Sequence, residues 1–123
     1  MSKIPIYLAH GAGAGHQSSL FLQILNKTLH SRYNRRVIPI TFRYMSEQEA
    51  TGKRRPPSRF ASLIPEFIEQ IPTEKSIIVA GKSMGGRVAT QLTEIKNVKA
   101  VICFGFPFYP SGKPEKHRLP FLD

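Results

Sequence analysis

Ser76-Ile77-Ile78-Val79-Ala80-Gly81-Lys82-Ser83-Met84-Gly85-Gly86-Arg87 is the stretch from which the fold can be read. Ser76 to Ala80 is almost wholly apolar, as a parallel strand covered on both faces must be. Met84, Val88, Leu92 and Ile95 then recur at helical spacing. Between strand and helix stands Gly81-Lys82-Ser83-Met84-Gly85, a Gly-x-Ser-x-Gly segment. A serine on so sharp a turn takes strained backbone angles, and side chains two residues either way would collide. Gly81 and Gly85 therefore leave room, and Gly86 extends the close approach.

Working outward, Lys3 to Ala9 is a short apolar run that stops at the loop His10-Gly11-Ala12-Gly13-Ala14-Gly15. From Gln17 to about His30, Phe21, Leu25 and Leu29, with Leu22 beside them, form one helical face. Val37 to Phe42 is strand-like, and Pro39 within it cannot donate to a ladder, which places this strand at an edge. Arg43 to Pro57, with Gly52, Lys53-Arg54-Arg55 and Pro56-Pro57, has no sustained period and reads as a long surface loop. Ser58 is a candidate cap for a helix carrying Phe60, Leu63, Ile64, Phe67, Ile68 and Ile71. Pro65 would kink that helix or mark a start near Ser62, and Pro72 ends it. Val98 to Phe104 is a fourth strand. The pattern is β-α-β-α-β-α-β with crossovers suited to parallel neighbours, so the expected class is α/β, a three-layer sandwich around a parallel sheet. In the order 2-1-3-4 both glycine loops would emerge at the switch point between strands one and three.

The 123 residues suffice for one domain, and 41% hydrophobic with 21% charged residues excludes a disordered chain. No apolar run approaches the ~20 residues of a membrane span, and the start is too short for a secretory leader; a cytoplasmic protein without a membrane partner is the expectation. Cys103 is the single cysteine, so no internal disulfide or Cys-pair metal motif forms, and its apolar strand makes it an inert core thiol. The +10 charge raises the question of a nucleic-acid partner. Aromatics are sparse around Lys53-Arg54-Arg55, however, and a solvated loop is the expected reading. Nucleotide templates also fail. Ser76 stands where a phosphate-wrapping loop before Gly81-Lys82-Ser83 needs its first glycine, and His16 stands where a dinucleotide fingerprint from Gly11 needs its third. No cofactor or metal is expected.

What remains is acyl transfer. Ser83 is the candidate nucleophile, and attack on a carbonyl would develop an oxyanion that backbone N–H groups can hold. The Met84 amide, at the positive end of its helix, is one candidate donor, and the Ala12 amide in the first glycine loop is the second.

Taken together, these segments resemble an α/β-hydrolase. The likeness is specifically to the dienelactone-hydrolase-like group of small hydrolases, which is related to the hydrolase-like domain of a chromatin acetyltransferase-complex subunit. The resemblance is carried by His10 to Gly15, Phe42-Arg43-Tyr44-Met45, Gly52 to Pro57, Gly81 to Arg87 and Gly105 to Lys116, with Tyr109 where a His is usual. It implies a serine hydrolase acting on a small ester or lactone-like substrate. It also implies that the triad Asp and His follow further strands, which the 123 residues do not include: the only Asp is Asp123. The expectation is thus a single partial hydrolase domain that shows no ester hydrolysis above background and at most slow fluorophosphonate labelling, and that is prone to self-association through the exposed sheet edge at Val98, Val101 and Phe104. The other reading is a non-catalytic hydrolase-like interaction module or an inactive gene fragment. His10, His16 and His117 stay open as helpers or as a replacement base, and with His30 they otherwise read as loop histidines.

Overall fold

The computed structural model describes residues 3–105, and within them a four-stranded parallel sheet is built in the order 2-1-3-4. β1 (Ile6–Ala9) lies between β2 (Val37–Ile40) and β3 (Ile77–Lys82), and β4 (Val98–Phe104) pairs with β3. The α/β class and strand order expected from the sequence are those observed. Pro39 sits opposite Leu8 on β2, which among the described residues has β1 as its one neighbour. A residue with no N–H to give is placed on the strand with a free side.

Successive strand residues point to opposite faces. Ile6, Leu8, Ala80 and Ile78 face α1 (Leu20–Tyr33), meeting Leu22, Leu25 and Leu29. Ile77, Val79, Ala9 and Ile40 face the other way, into a core shared with α2 (Arg43–Thr51), α3 (Phe60–Glu69) and α4 (Met84–Thr90). Helices thus cover both faces of the sheet, the three-layer arrangement that parallel strands require.

Two of the helices depart from the sequence reading. Arg43 to Thr51 is α2 and not a loop; only Gly52 to Arg59 remains irregular and exposed. Met45, Glu47, Gln48, Glu49 and Ala50 favour helix, Gly52 closes it in the left-handed region at φ 74°, and the Glu66 carboxylate accepts the Arg43 N–H at 2.8 Å. Its only buried residues, Tyr44 and Met45, are adjacent in sequence, so no helical period shows. In α3, Arg59 rather than Ser58 holds the cap position, with no side-chain bond. Pro65 lies inside α3; both it and Ala61, whose carbonyl loses its helical partner, are exposed, so that carbonyl is not buried without a partner.

The remaining differences are boundaries. α1 starts after Ser19, whose hydroxyl accepts the Leu22 N–H at 3.2 Å, so His16 precedes the helix. Phe21 faces outward at 46% exposure while Leu22 is buried. β3 runs on to Lys82, and α4 ends at Thr90, with Leu92 and Ile95 carried on turns bonded back to Ala89 and Leu92.

Candidate active site

Ser83 stands between the last residue of β3 and the first of α4 with φ 55° and ψ −113°. No L residue enters this region without strain of ~1–3 kcal/mol, so its neighbours must hold it there. The Ser83 N–H donates to Phe104 O at 3.0 Å, tying the turn to the end of β4, and the Ser83 carbonyl accepts the Arg87 N–H at 3.0 Å to begin the helix. The glycines are explained by contact. A methyl on Gly81 would overlap the backbone of Gly85 and Gly86, and one on Gly85 would meet His10 O and the Ala9 side chain and carbonyl. One on Gly86 would meet Gly81 O at 2.9 Å. The backbone of α4 can pack against β1 and β3 only because these side chains are hydrogen.

Sheet register brings the two glycine loops together. Ala9 is level with Gly81, so the chain leaves β1 beside the point where β3 leads to Ser83. A methyl built on Gly11 would lie 3.6 Å from Ser83 Cβ and 3.4 Å from Lys82 O. Ser83 therefore projects from a strand-to-helix turn beside the His10 to Gly15 loop, as the spacing of motifs predicts.

That loop is tied down by its own His10 and by groups at the start of α2. His10 is fully buried; the Phe42 N–H donates to its Nε2 at 3.1 Å, which leaves the ring proton on Nδ1, and Nδ1–H donates to Gly11 O at 2.6 Å. Burial lowers its pKa to about 4, outweighing the Gly11 bond that raises it, with a smaller lowering from His16 nearby. The Tyr44 hydroxyl reaches Ala12 O at 2.9 Å and Gly11 O at 3.3 Å, and burial, aided by Glu66, pushes its pKa up to about 12. Tyr44 and the buried state of His10 were not legible in the sequence; the signal was Tyr44 lying four residues past the edge strand, close to the loop.

The other histidines are occupied or distant from this chemistry. His16 Nε2 lies 3.2 Å from Ile40 O and its Nδ1 3.4 Å from Asn26 Nδ2; burial lowers its pKa. His30 is exposed on the last turn of α1. His117, Tyr109 and Asp123 lie outside the described residues. Among the described residues, no side chain hydrogen-bonds the Ser83 hydroxyl. Cys103 is part-buried, its Sγ 3.5 Å from Gly86 O, and burial raises its pKa, which keeps it a thiol. A cleft of about 630 Å³ lined by His16, Asn26, Lys27, His30, Arg36 and Pro39 opens between α1 and β2 and does not include Ser83. Lys53, Arg54 and Arg55 are exposed, Arg55 lying 3.6 Å from Glu47. Among the described residues, no three His, Cys, Asp or Glu side chains gather as a metal centre needs, and no helix is long and apolar enough to cross a membrane.

A parallel sheet that presents a serine on a glycine-flanked strand-to-helix turn, beside a second glycine loop, is the framework of the α/β-hydrolase class. The model of the alpha/beta hydrolase domain family matches residues 2–123, and the chain belongs to that family. No curated protein and no solved structure matches it.

Proposed function

We propose that the chain carries the nucleophile of a serine hydrolase of the dienelactone-hydrolase-like kind, acting on a small ester or lactone-like substrate. The observation that carries this reading is the backbone of Ser83, held at φ 55° and ψ −113° by contacts that forbid a side chain at Gly81, Gly85 and Gly86. Strain kept at one serine, where glycine would relieve it, calls for a use of the hydroxyl.

In this reading Ser83 Oγ attacks the substrate carbonyl carbon, the carbonyl π pair moves to oxygen, and the Met84 and Ala12 amides hold the resulting oxyanion. Collapse of the tetrahedral intermediate expels the alcohol and leaves an acyl-serine, which water then cleaves. The Ser83 proton needs an acceptor. Both ring nitrogens of His10 and of His16 are engaged elsewhere. The base and its acid partner therefore come from outside residues 3–105, which accords with a family pattern that puts them after later strands. The second reading, a hydrolase-like module without catalysis, draws on the same observation that no described group reaches the Ser83 hydroxyl.

Fluorophosphonate labelling of the full gene product separates the two. Covalent labelling mapped to the Ser83 peptide and lost in Ser83→Ala is the expected result. A full gene product that resists the probe under conditions where a known esterase is labelled overturns the catalytic reading.

A further inference from the structure

The first glycine loop lacks regular structure, yet two of its carbonyls are held firmly. Gly11 O accepts His10 Nδ1–H at 2.6 Å, and Ala12 O accepts the Tyr44 hydroxyl at 2.9 Å. A hydroxyl has one proton to give, so the 3.3 Å approach of Tyr44 to Gly11 O is the weaker branch, and Gly11 O depends chiefly on His10. Among the described residues no peptide bond is cis. In a trans peptide the N–H points opposite the preceding carbonyl. Fixing Gly11 O therefore fixes the Ala12 N–H, and fixing Ala12 O fixes the Gly13 N–H, each directed away from the Tyr44 hydroxyl. Neither N–H has a partner among the described residues. The loop also runs beside the Ser83 turn, since a methyl built on Gly11 would lie 3.6 Å from Ser83 Cβ.

We propose that Tyr44, with His10, is a positioning residue: His10 holds the Gly11 carbonyl and the Tyr44 hydroxyl holds the Ala12 carbonyl, so that the Ala12 and Gly13 amides behind them are set to face the oxyanion. The proposal rests on Ser83 being the nucleophile. Tyr44 reaches the loop from the first turn of α2, and its ring is buried in the core, 5.9 Å from the His10 ring, so the hydroxyl is aimed by packing and not by the loop. With its proton retained well above neutrality, the hydroxyl stays a donor wherever the fold is intact. His10, held neutral, keeps Nδ1–H on Gly11 and Nε2 open to the Phe42 N–H.

Tyr44→Phe tests this, because it keeps the ring and removes one donor. The experiment uses the full gene product and measures fluorophosphonate inactivation, split into kinact and KI, alongside the carbonyl carbon-13 shift of Ala12 and the melting temperature. Removing an oxyanion donor costs ~10²–10³ in rate, and losing only its aim should lower kinact by about tenfold or more with KI unchanged. The Ala12 carbonyl signal should move upfield as its hydrogen bond is lost. A kinact equal to wild type in a folded Tyr44→Phe, or an unmoved Ala12 carbonyl, overturns the proposal. Failure of the nucleophile reading looks different: wild type and Ser83→Ala label alike, and this inference falls with it.

Discussion

His10 and Phe42 meet at the carboxyl end of the sheet, where the Phe42 N–H donates to His10 Nε2 at 3.1 Å and the rings stand edge to face, 5.1 Å between centroids. The end of β2 thereby fixes the tautomer of a side chain at the end of β1. That tautomer decides which atom holds the Gly11 carbonyl, so a strand end, a ring and the first glycine loop are coupled through one proton.

The coupling has a pH dependence. Folding lowers the pKa of His10 from 6.5 to about 4, so between those values the unfolded chain binds the proton and the folded chain does not. His10 favours the folded state fully above pH 6.5, and the contribution is lost progressively as pH falls toward 4. The shift corresponds to about 3 kcal/mol at most. Urea unfolding at pH 7 and pH 4.5 should show lower stability at the acid value, and a ring titration of His10 by NMR should have its midpoint well below 6.5. A midpoint at the ordinary histidine value would refute the buried, neutral assignment.

Strain at Ser83 predicts an unusual pair of variants. Ser83→Gly relieves a backbone cost of ~1–3 kcal/mol against a glycine entropy cost of ~0.5–1, so it should raise unfolding free energy by about 1 kcal/mol. Ser83→Ala keeps the Cβ and should change stability by less than about 0.5 kcal/mol. Both should lose labelling. Equal stability of the two variants would mean that the turn is not strained.

The glycines divide by their surroundings. Gly85→Ala drives a methyl onto the His10 and Ala9 backbone, which cannot swing aside, and should cost about 3 kcal/mol or prevent folding. Gly13 has nothing within 4 Å of a built methyl, so Gly13→Ala should shift the melting midpoint little. Thermal melts of the two check this, and a stable Gly85→Ala would remove the packing account of the turn.

What the sequence determined by itself was the periodicity and the punctuation. Ile77 to Ala80 and the Met84, Val88 spacing locate a buried strand and its helix, Pro39 marks an edge, and Gly81, Ser83 and Gly85 mark the turn, because each reflects a local constraint on backbone or burial. Tertiary structure decided the rest. α2 forms although its buried residues are only Tyr44 and Met45, because Glu66 from α3 takes its first N–H and the core takes both side chains. His10 is neutral and Tyr44 is a donor to the glycine loop because residues more than 30 positions apart are brought within hydrogen-bonding distance. Long-range desolvation and hydrogen bonding leave no period in a sequence, and at this site they hold the carbonyls of the glycine loop.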